Sequence, residues 1–214
     1  MQIISYYINS FESSGILLED HVVPLETVNK KFGWEFSHHL DGIFQTQQFF
    51  SLKHHITKLQ PIINNFDGYD VYSLQDIKIA PLFRHPSKIY GIGLNYREHA
   101  ADLDENTPSS IPASFIKAKS TIIGPGEKIF LPSIAEKTTG EAELGIVIGK
   151  KCKNVLQNHW LDVVAGFTSI IDMTAESILR QNPRYLTLSK NFDTFFSFGP
   201  VLFTPEEIMD LSAI

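Results

Sequence analysis

A β-rich α+β fold is predicted for this chain on three observations. Apolar and polar residues alternate at short range through about the first 28 residues, as in a hairpin. Residues 24–74 then carry apolar and aromatic side chains at helical spacing, among them Phe44, Phe49, Phe50, Leu52, Ile56 and Leu59 ahead of Pro61. Beyond residue 80 strands predominate, with short helices between them. A small N-terminal accessory domain over residues 1–80 and a second domain over 81–214 are therefore expected. With 214 residues, 43% hydrophobic and 20% charged, the chain can bury a core.

The elements follow in order. Ile3, Ile4, Tyr6 and Ile8 form the first strand, Glu12-Ser13-Ser14-Gly15 the turn, and Ile16-Leu17-Leu18 with Val22-Val23 the return. After the helical segment, Arg84-His85-Pro86-Ser87 leads into a strand over residues 88–94. A short helix is expected at 97–103 and a polar, mobile lid at 104–110. Strands at 113–118 and 128–131 flank a Gly124-Pro125-Gly126 turn. The apolar strand 141–149 comes next, then a helix over 160–165, a strand over 166–172 and a helix over 173–181. Pro205 begins a further helical turn.

Charge and composition exclude several classes. The net charge is −6 with no offsetting Lys/Arg cluster, so a nucleic-acid partner is not expected. No stretch approaches the length of a membrane span, and MQIISYYINSFESSG lacks both a basic start and a long apolar run. No membrane partner is expected, and the cytoplasm is the expected location. Cys152 is the sole cysteine, which excludes an internal disulfide and suits a reducing compartment. It reads as a surface bystander between Lys151 and Lys153. The pairs His38-His39 and His54-His55 read as unremarkable, since adjacent residues share no helix face.

The run Gly140-Glu141-Ala142-Glu143-Leu144-Gly145-Ile146-Val147-Ile148-Gly149 carries the chemistry. Strand side chains alternate faces, so Glu141 and Glu143 point the same way, with open space expected beside Gly145. Two carboxylates held close on a half-buried sheet need protons or a cation. Asp172, at the end of the next apolar strand, could complete an all-oxygen triad; two solvated glutamates are the alternative reading. Such hard ligands favour Mg²⁺, with Mn²⁺ or Ca²⁺ behind it, over zinc. Three protein ligands leave room for a substrate to bind through two adjacent oxygens, as a 2-oxo acid or a 1,3-dicarbonyl would.

Five segments together resemble the fumarylacetoacetate hydrolase (FAH) family in order and spacing: Gly91 to Ala100, Phe115-Ile116-Lys117, Gly140 to Lys150, Gly166-Phe167-Thr168 through Asp172, and Ser189-Lys190-Asn191-Phe192-Asp193-Thr194 through Gly199-Pro200. The likeness covers about residues 88–205. It implies a β-roll catalytic domain, a homodimer, and a Mg²⁺- or Mn²⁺-dependent enzyme of aromatic-compound catabolism acting on C–C bonds of small oxo-carboxylates. Hydrolysis and decarboxylation would both pass through a metal-bound enolate. By the same resemblance Glu141, Glu143 and Asp172 match the metal ligands, Lys190 and Lys117 match active-site lysines, and His99 is the general base. Asp102 stands where hydrolysing members carry the glutamate that partners this histidine.

Two departures bear on substrate and activity. The chain reads Thr174-Ala175-Glu176-Ser177 where many members read Ser-Ala-Arg-Asp, so an arginine able to hold a substrate carboxylate is replaced by Glu176; Arg180 or Arg184 could supply that charge. The sequence stops at Ile214, where members continue with further strands, so the catalytic domain is expected to be C-terminally truncated. The alternatives to a hydrolase or lyase are an isomerase of the 2-hydroxyhepta-2,4-diene-1,7-dioate type and an inactive metal-binding fragment.

Overall fold

The computed structural model describes residues 1–59, 66–93 and 111–208. The N-terminal alternation forms a hairpin of β1 (Gln2–Ile8) and β2 (Phe11–Leu18). Its turn is Asn9-Ser10, both at positive φ (49° and 69°), the two-residue geometry whose twist suits antiparallel strands. The residues expected to turn, Glu12-Ser13-Ser14-Gly15, instead lie inside β2, opposite Tyr7 through Ile4. Ser14 buries its hydroxyl 3.0 Å from that of Ser5 and accepts the Leu40 N–H at 3.0 Å. Its polar group is satisfied within the core, so it does not need a turn.

β3 (His21–Pro24) pairs with β2 and leads into α1 (Leu25–Phe32), which ends on Gly33 in the left-handed conformation. α2 (Leu40–Gln45) and α3 (Phe49–Leu59) follow, within the segment read as helical. Leu25, Val28, Leu40, Ile43, Phe49, Leu52 and Ile56 from these helices pack with Ile3, Ile16, Phe196, Phe198 and Leu202 in the main core. β4 (Tyr72–Ser73) pairs with β3, and β5 (Lys78–Ile79) with β1. β6 (Ile89–Gly93) and β7 (Ala113–Lys117) form a separate two-stranded antiparallel sheet.

β8 (Ile122–Ile123) runs into the expected Gly124-Pro125-Gly126 turn, closed by the Glu127 N–H on the Gly124 carbonyl at 3.1 Å. Residues 128–131 form no strand. The Phe130 N–H goes to the Thr194 hydroxyl at 2.8 Å, and Phe130 and Leu131 are exposed. β9 (Thr139–Ile148) and β10 (Val164–Thr174) are antiparallel along almost their whole lengths. The helix expected at 160–165 is a 3-10 segment, Gln157–Asp162, and Val164 already belongs to β10. Met173 and Thr174 also stay in the strand, because the Met173 N–H bonds the Phe195 carbonyl and the ladder to β9 continues. α4 (Glu176–Gln181) therefore begins later than the pattern suggests; α5 (Leu186–Lys190), β11 (Phe196–Phe198) and β12 (Val201–Phe203) complete the order.

One ten-stranded sheet runs β4-β3-β2-β1-β12-β10-β11-β8, with β5 on β1 and β9 on β10. β1 lies against β12, Ile3 opposite Leu202, so the sheet joins the first residues to those beyond 200. β12 approaches β10 at Gly166, where a Cβ would stand 2.2 Å from the Phe203 carbonyl oxygen; only glycine admits that contact. The outer face of β9 exposes Leu144, Ile146 and Ile148. Its inner face carries the acidic residues. Among the described residues no helix is long and apolar enough to cross a membrane.

Candidate metal centre

The period-two alternation of β9 places Thr139, Glu141 and Glu143 on the half-buried inner face. Register supplies the third acid. Asp172 lies directly opposite Glu141, and Ile170 opposite Glu143. Carboxylate oxygens of Glu141, Glu143 and Asp172 all lie within 4.8 Å of one another, so the three predicted acids converge. The Asp172 side chain is only 5% exposed. The space expected beside Gly145 is filled: a Cβ there would meet Ile170 Cδ1 at 2.7 Å and Thr168 Cγ2 at 2.9 Å. Gly145 lets β10 side chains pack across the strand and opens no cleft.

Both predicted lysines reach the same carboxylates. Lys190, on the last turn of α5, donates to Glu141 Oε2 and Asp172 Oδ2, each at 2.7 Å, and its Nζ sits 4.7 Å from the Phe115 ring centre. Lys117, at the end of β7, donates to Asp172 Oδ1 at 2.6 Å, to the Lys190 carbonyl and, at 3.4 Å, to the Met173 carbonyl. All three ammonium protons therefore have acceptors. Burial pushes Lys117 below the ordinary lysine range, against the pull of Asp172. The all-oxygen donor set of Glu141, Glu143 and Asp172 fits a divalent cation.

Two positioning groups were not singled out from the sequence. Thr174 donates to Glu141 Oε1 at 2.6 Å and fixes that carboxylate. Asn191 accepts the Ala118 N–H at 2.6 Å and donates to the carbonyls of Ile116 (3.1 Å) and Thr187 (2.8 Å), tying β7 to α5 and so Lys117 to Lys190. Strand parity places Thr174 on the face of Asp172, which was the available signal. His99 and Asp102 lie outside the described residues, as does the lid segment 104–110.

Glu176 is a buried ion-pair centre. Its Oε2 meets Lys137 Nζ at 2.8 Å and accepts from Thr139 Oγ1 at 3.2 Å, while its Oε1 accepts from Arg180 Nε at 2.6 Å. Hydrogen bonds from Lys137 and Arg180 hold its carboxyl down, from the ordinary 4.5 to about 2. A depressed carboxyl stabilises the fold in full above its unfolded pKa, and that contribution is lost as pH falls from about 4.5 to about 2. Urea unfolding of the parent and Glu176→Gln should therefore show a stability gap that closes through this window; a gap independent of pH contradicts the assignment.

The profile of the fumarylacetoacetate (FAA) hydrolase C-terminal domain matches residues 88–214. The chain belongs to the fumarylacetoacetate hydrolase family. Over 132 residues this family member is 37% identical to the mitochondrial oxaloacetate tautomerase Fahd2a of Rattus norvegicus, covering 62% of the chain and 42% of that protein. Over 217 residues it is 33% identical to the fumarylacetoacetate hydrolase domain-containing protein 2 homolog of Dictyostelium discoideum, covering 99% and 67%. The maleylpyruvate hydrolase of Sphingobium sp. SYK-6, solved with manganese(II) and pyruvate, superposes with a TM-score of 0.71 at 22% identity, over 98% of this chain and 69% of that one, and shares the fold. The chain spans about half the length of several curated relatives it matches, 53% and 54% for two archaeal proteins.

Proposed function

We propose that this chain carries the divalent-metal site of an FAH-family enzyme acting on small oxo-carboxylates or 1,3-dicarbonyl compounds. The observation that carries the reading is the convergence of Glu141, Glu143 and Asp172 within 4.8 Å, with Lys117 bonded to Asp172 and Lys190 to both Asp172 and Glu141. Glu141, Glu143 and Asp172 would hold Mg²⁺ or Mn²⁺, with Ca²⁺ a further candidate. The bound cation would supply Lewis-acid polarisation of the substrate's oxo group.

The remaining roles belong to side chains. Lys190 offers a fixed positive charge beside the site where an enolising substrate oxygen gains negative charge. Lys117 holds Asp172, and Thr174 holds Glu141, in position for ligation. By the family resemblance His99, with Asp102 at the position of its partner, would move the proton or activate water. Hydrolytic or decarboxylating C–C cleavage is the leading activity. Tautomerisation or isomerisation is the second reading, supported by the oxaloacetate tautomerase name of a 37% identical relative. It needs proton movement and no attacking water.

Incubation of the metal-loaded protein with oxaloacetate and with acylpyruvates, with tautomer and cleavage product detected separately, tests both readings. Glu141→Ala should abolish every activity. His99→Ala should lower cleavage by roughly 10²–10⁴-fold. Intact cleavage in His99→Ala alongside its loss in Glu141→Ala would overturn the water-activating role.

A further inference from the structure

Phe115 and Lys117 share the inner face of β7, because strand side chains two residues apart point the same way, and Ile116 between them is exposed. Lys117 reaches Asp172 from that face. Phe115 meets Lys190 instead, with the Lys190 Nζ over its ring, 4.7 Å from the centre. The two ammonium groups are held differently. Lys117 has oxygen acceptors for all three of its N–H groups. Among the described residues Lys190 has two, Glu141 Oε2 and Asp172 Oδ2, and the Phe115 ring is its third neighbour.

The backbone makes room for that ring. Gly91 lies directly opposite Phe115 in the β6–β7 ladder, and a Cβ on Gly91 would stand 2.3 Å from Phe115 Cζ and 2.5 Å and 2.7 Å from Cε2 and Cε1. The ring therefore lies across the glycine, and a side chain at 91 would push it away. A ring face attracts a cation through its quadrupole and brings no counter-charge. Lys190 already shares two carboxylates, so a third would further offset the positive charge that a substrate oxygen needs, whereas the ring holds the ammonium without offsetting it.

Resting on the oxo-acid reading above, we propose that Phe115, seated on Gly91, positions the Lys190 ammonium by a cation–π contact for the oxygen of an enolising substrate. Phe115 is a positioning residue. It acts through Lys190, and Gly91 acts through Phe115.

Calorimetric titration of the Mn²⁺-loaded chain with oxalate reads that positioning, because oxalate carries the two adjacent oxygens of an enolised 2-oxo acid. Phe115→Leu should weaken oxalate binding by roughly 5–30-fold, the effect of losing a desolvated cation–π contact, while Mn²⁺ affinity stays unchanged or rises. Gly91→Ala, which displaces the ring, should weaken oxalate as well. A trifluorinated phenylalanine at position 115 keeps the packing but draws negative charge off the ring face, so it too should weaken oxalate; a ring that only fills space predicts no effect. In the Lys190→Met background all three changes should leave oxalate affinity within about twofold, since the group they act through is gone. Unchanged oxalate affinity in the fluorinated chain, or an equal loss in the Lys190→Met background, overturns the proposal and leaves the oxo-acid reading in place. A parent chain that binds no Mn²⁺, or no oxalate once loaded, overturns the oxo-acid reading and this proposal with it.

Discussion

Replacing Asp172 by alanine is expected to cost the folded state about 3–5 kcal/mol and to abolish divalent-cation binding. Two buried ammonium groups depend on this carboxylate, Lys117 at 2.6 Å and Lys190 at 2.7 Å. Lys190 keeps Glu141, but the Lys117 side chain is 1% exposed and is left with carbonyl acceptors alone. A buried charge stripped of its counter-ion is among the few single changes that reach this size. Asp172→Ala/Lys117→Met should recover much of the stability, since an apolar side chain of similar volume replaces the stranded charge, yet it should not recover the cation. Urea unfolding with and without Mn²⁺ measures both effects. A loss below about 1 kcal/mol in Asp172→Ala would show that water reaches Lys117 and that the pair is not buried as described.

Lys190→Met should separate cation binding from turnover. The Lys190 ammonium shares Glu141 Oε2 and Asp172 Oδ2, the same group of oxygens that would ligate the metal, so its charge opposes a cation there. Removing it should leave Mn²⁺ affinity unchanged or raised. Turnover of an oxo acid should nonetheless fall by roughly 10²–10³-fold, the usual effect of losing a fixed charge beside a developing oxyanion. Mn²⁺ titration paired with rate measurements on the same preparation separates the two. Weakened Mn²⁺ binding with unchanged turnover of the loaded fraction would make Lys190 a scaffold for the ligands and nothing more.

Parity along β9 made Glu141 and Glu143 legible as a same-face pair, because period-two alternation is a property of any strand. The partner opposite Glu141 was not legible that way. It depends on the register of β10, a non-local quantity; the residues alone offer Asp172 as a candidate third ligand, and the resemblance of the surrounding segments implies it. The two lysines show the same limit. Lys117 and Asp172 are 55 residues apart, and no local pattern announces that one ammonium will satisfy a carboxylate and two backbone carbonyls.

Glu176 shows a different failure. In sequence it stood out as the loss of an arginine, whereas in the fold it gathers Lys137, Arg180 and Thr139 around a shielded carboxylate, with Arg180 one helical turn along α4. The first hairpin was misread for a related reason. Glu12-Ser13-Ser14-Gly15 has turn composition, but the two-residue turn at Asn9-Ser10 sets a register that buries Ser14 on Ser5 and Leu40. Local composition gave way to pairing in both cases.

The central claim is that Glu141, Glu143 and Asp172 hold a divalent cation able to accept a chelating oxo acid. Titration of the folded chain with Mn²⁺, followed by oxalate as a two-oxygen mimic of an enolised substrate, tests it most directly. The account predicts a single Mn²⁺ per chain, lost in Glu141→Ala and Glu143→Ala, and oxalate binding only after the metal is added. A well-folded chain that takes up no Mn²⁺, or that binds oxalate equally well without it, would contradict the account.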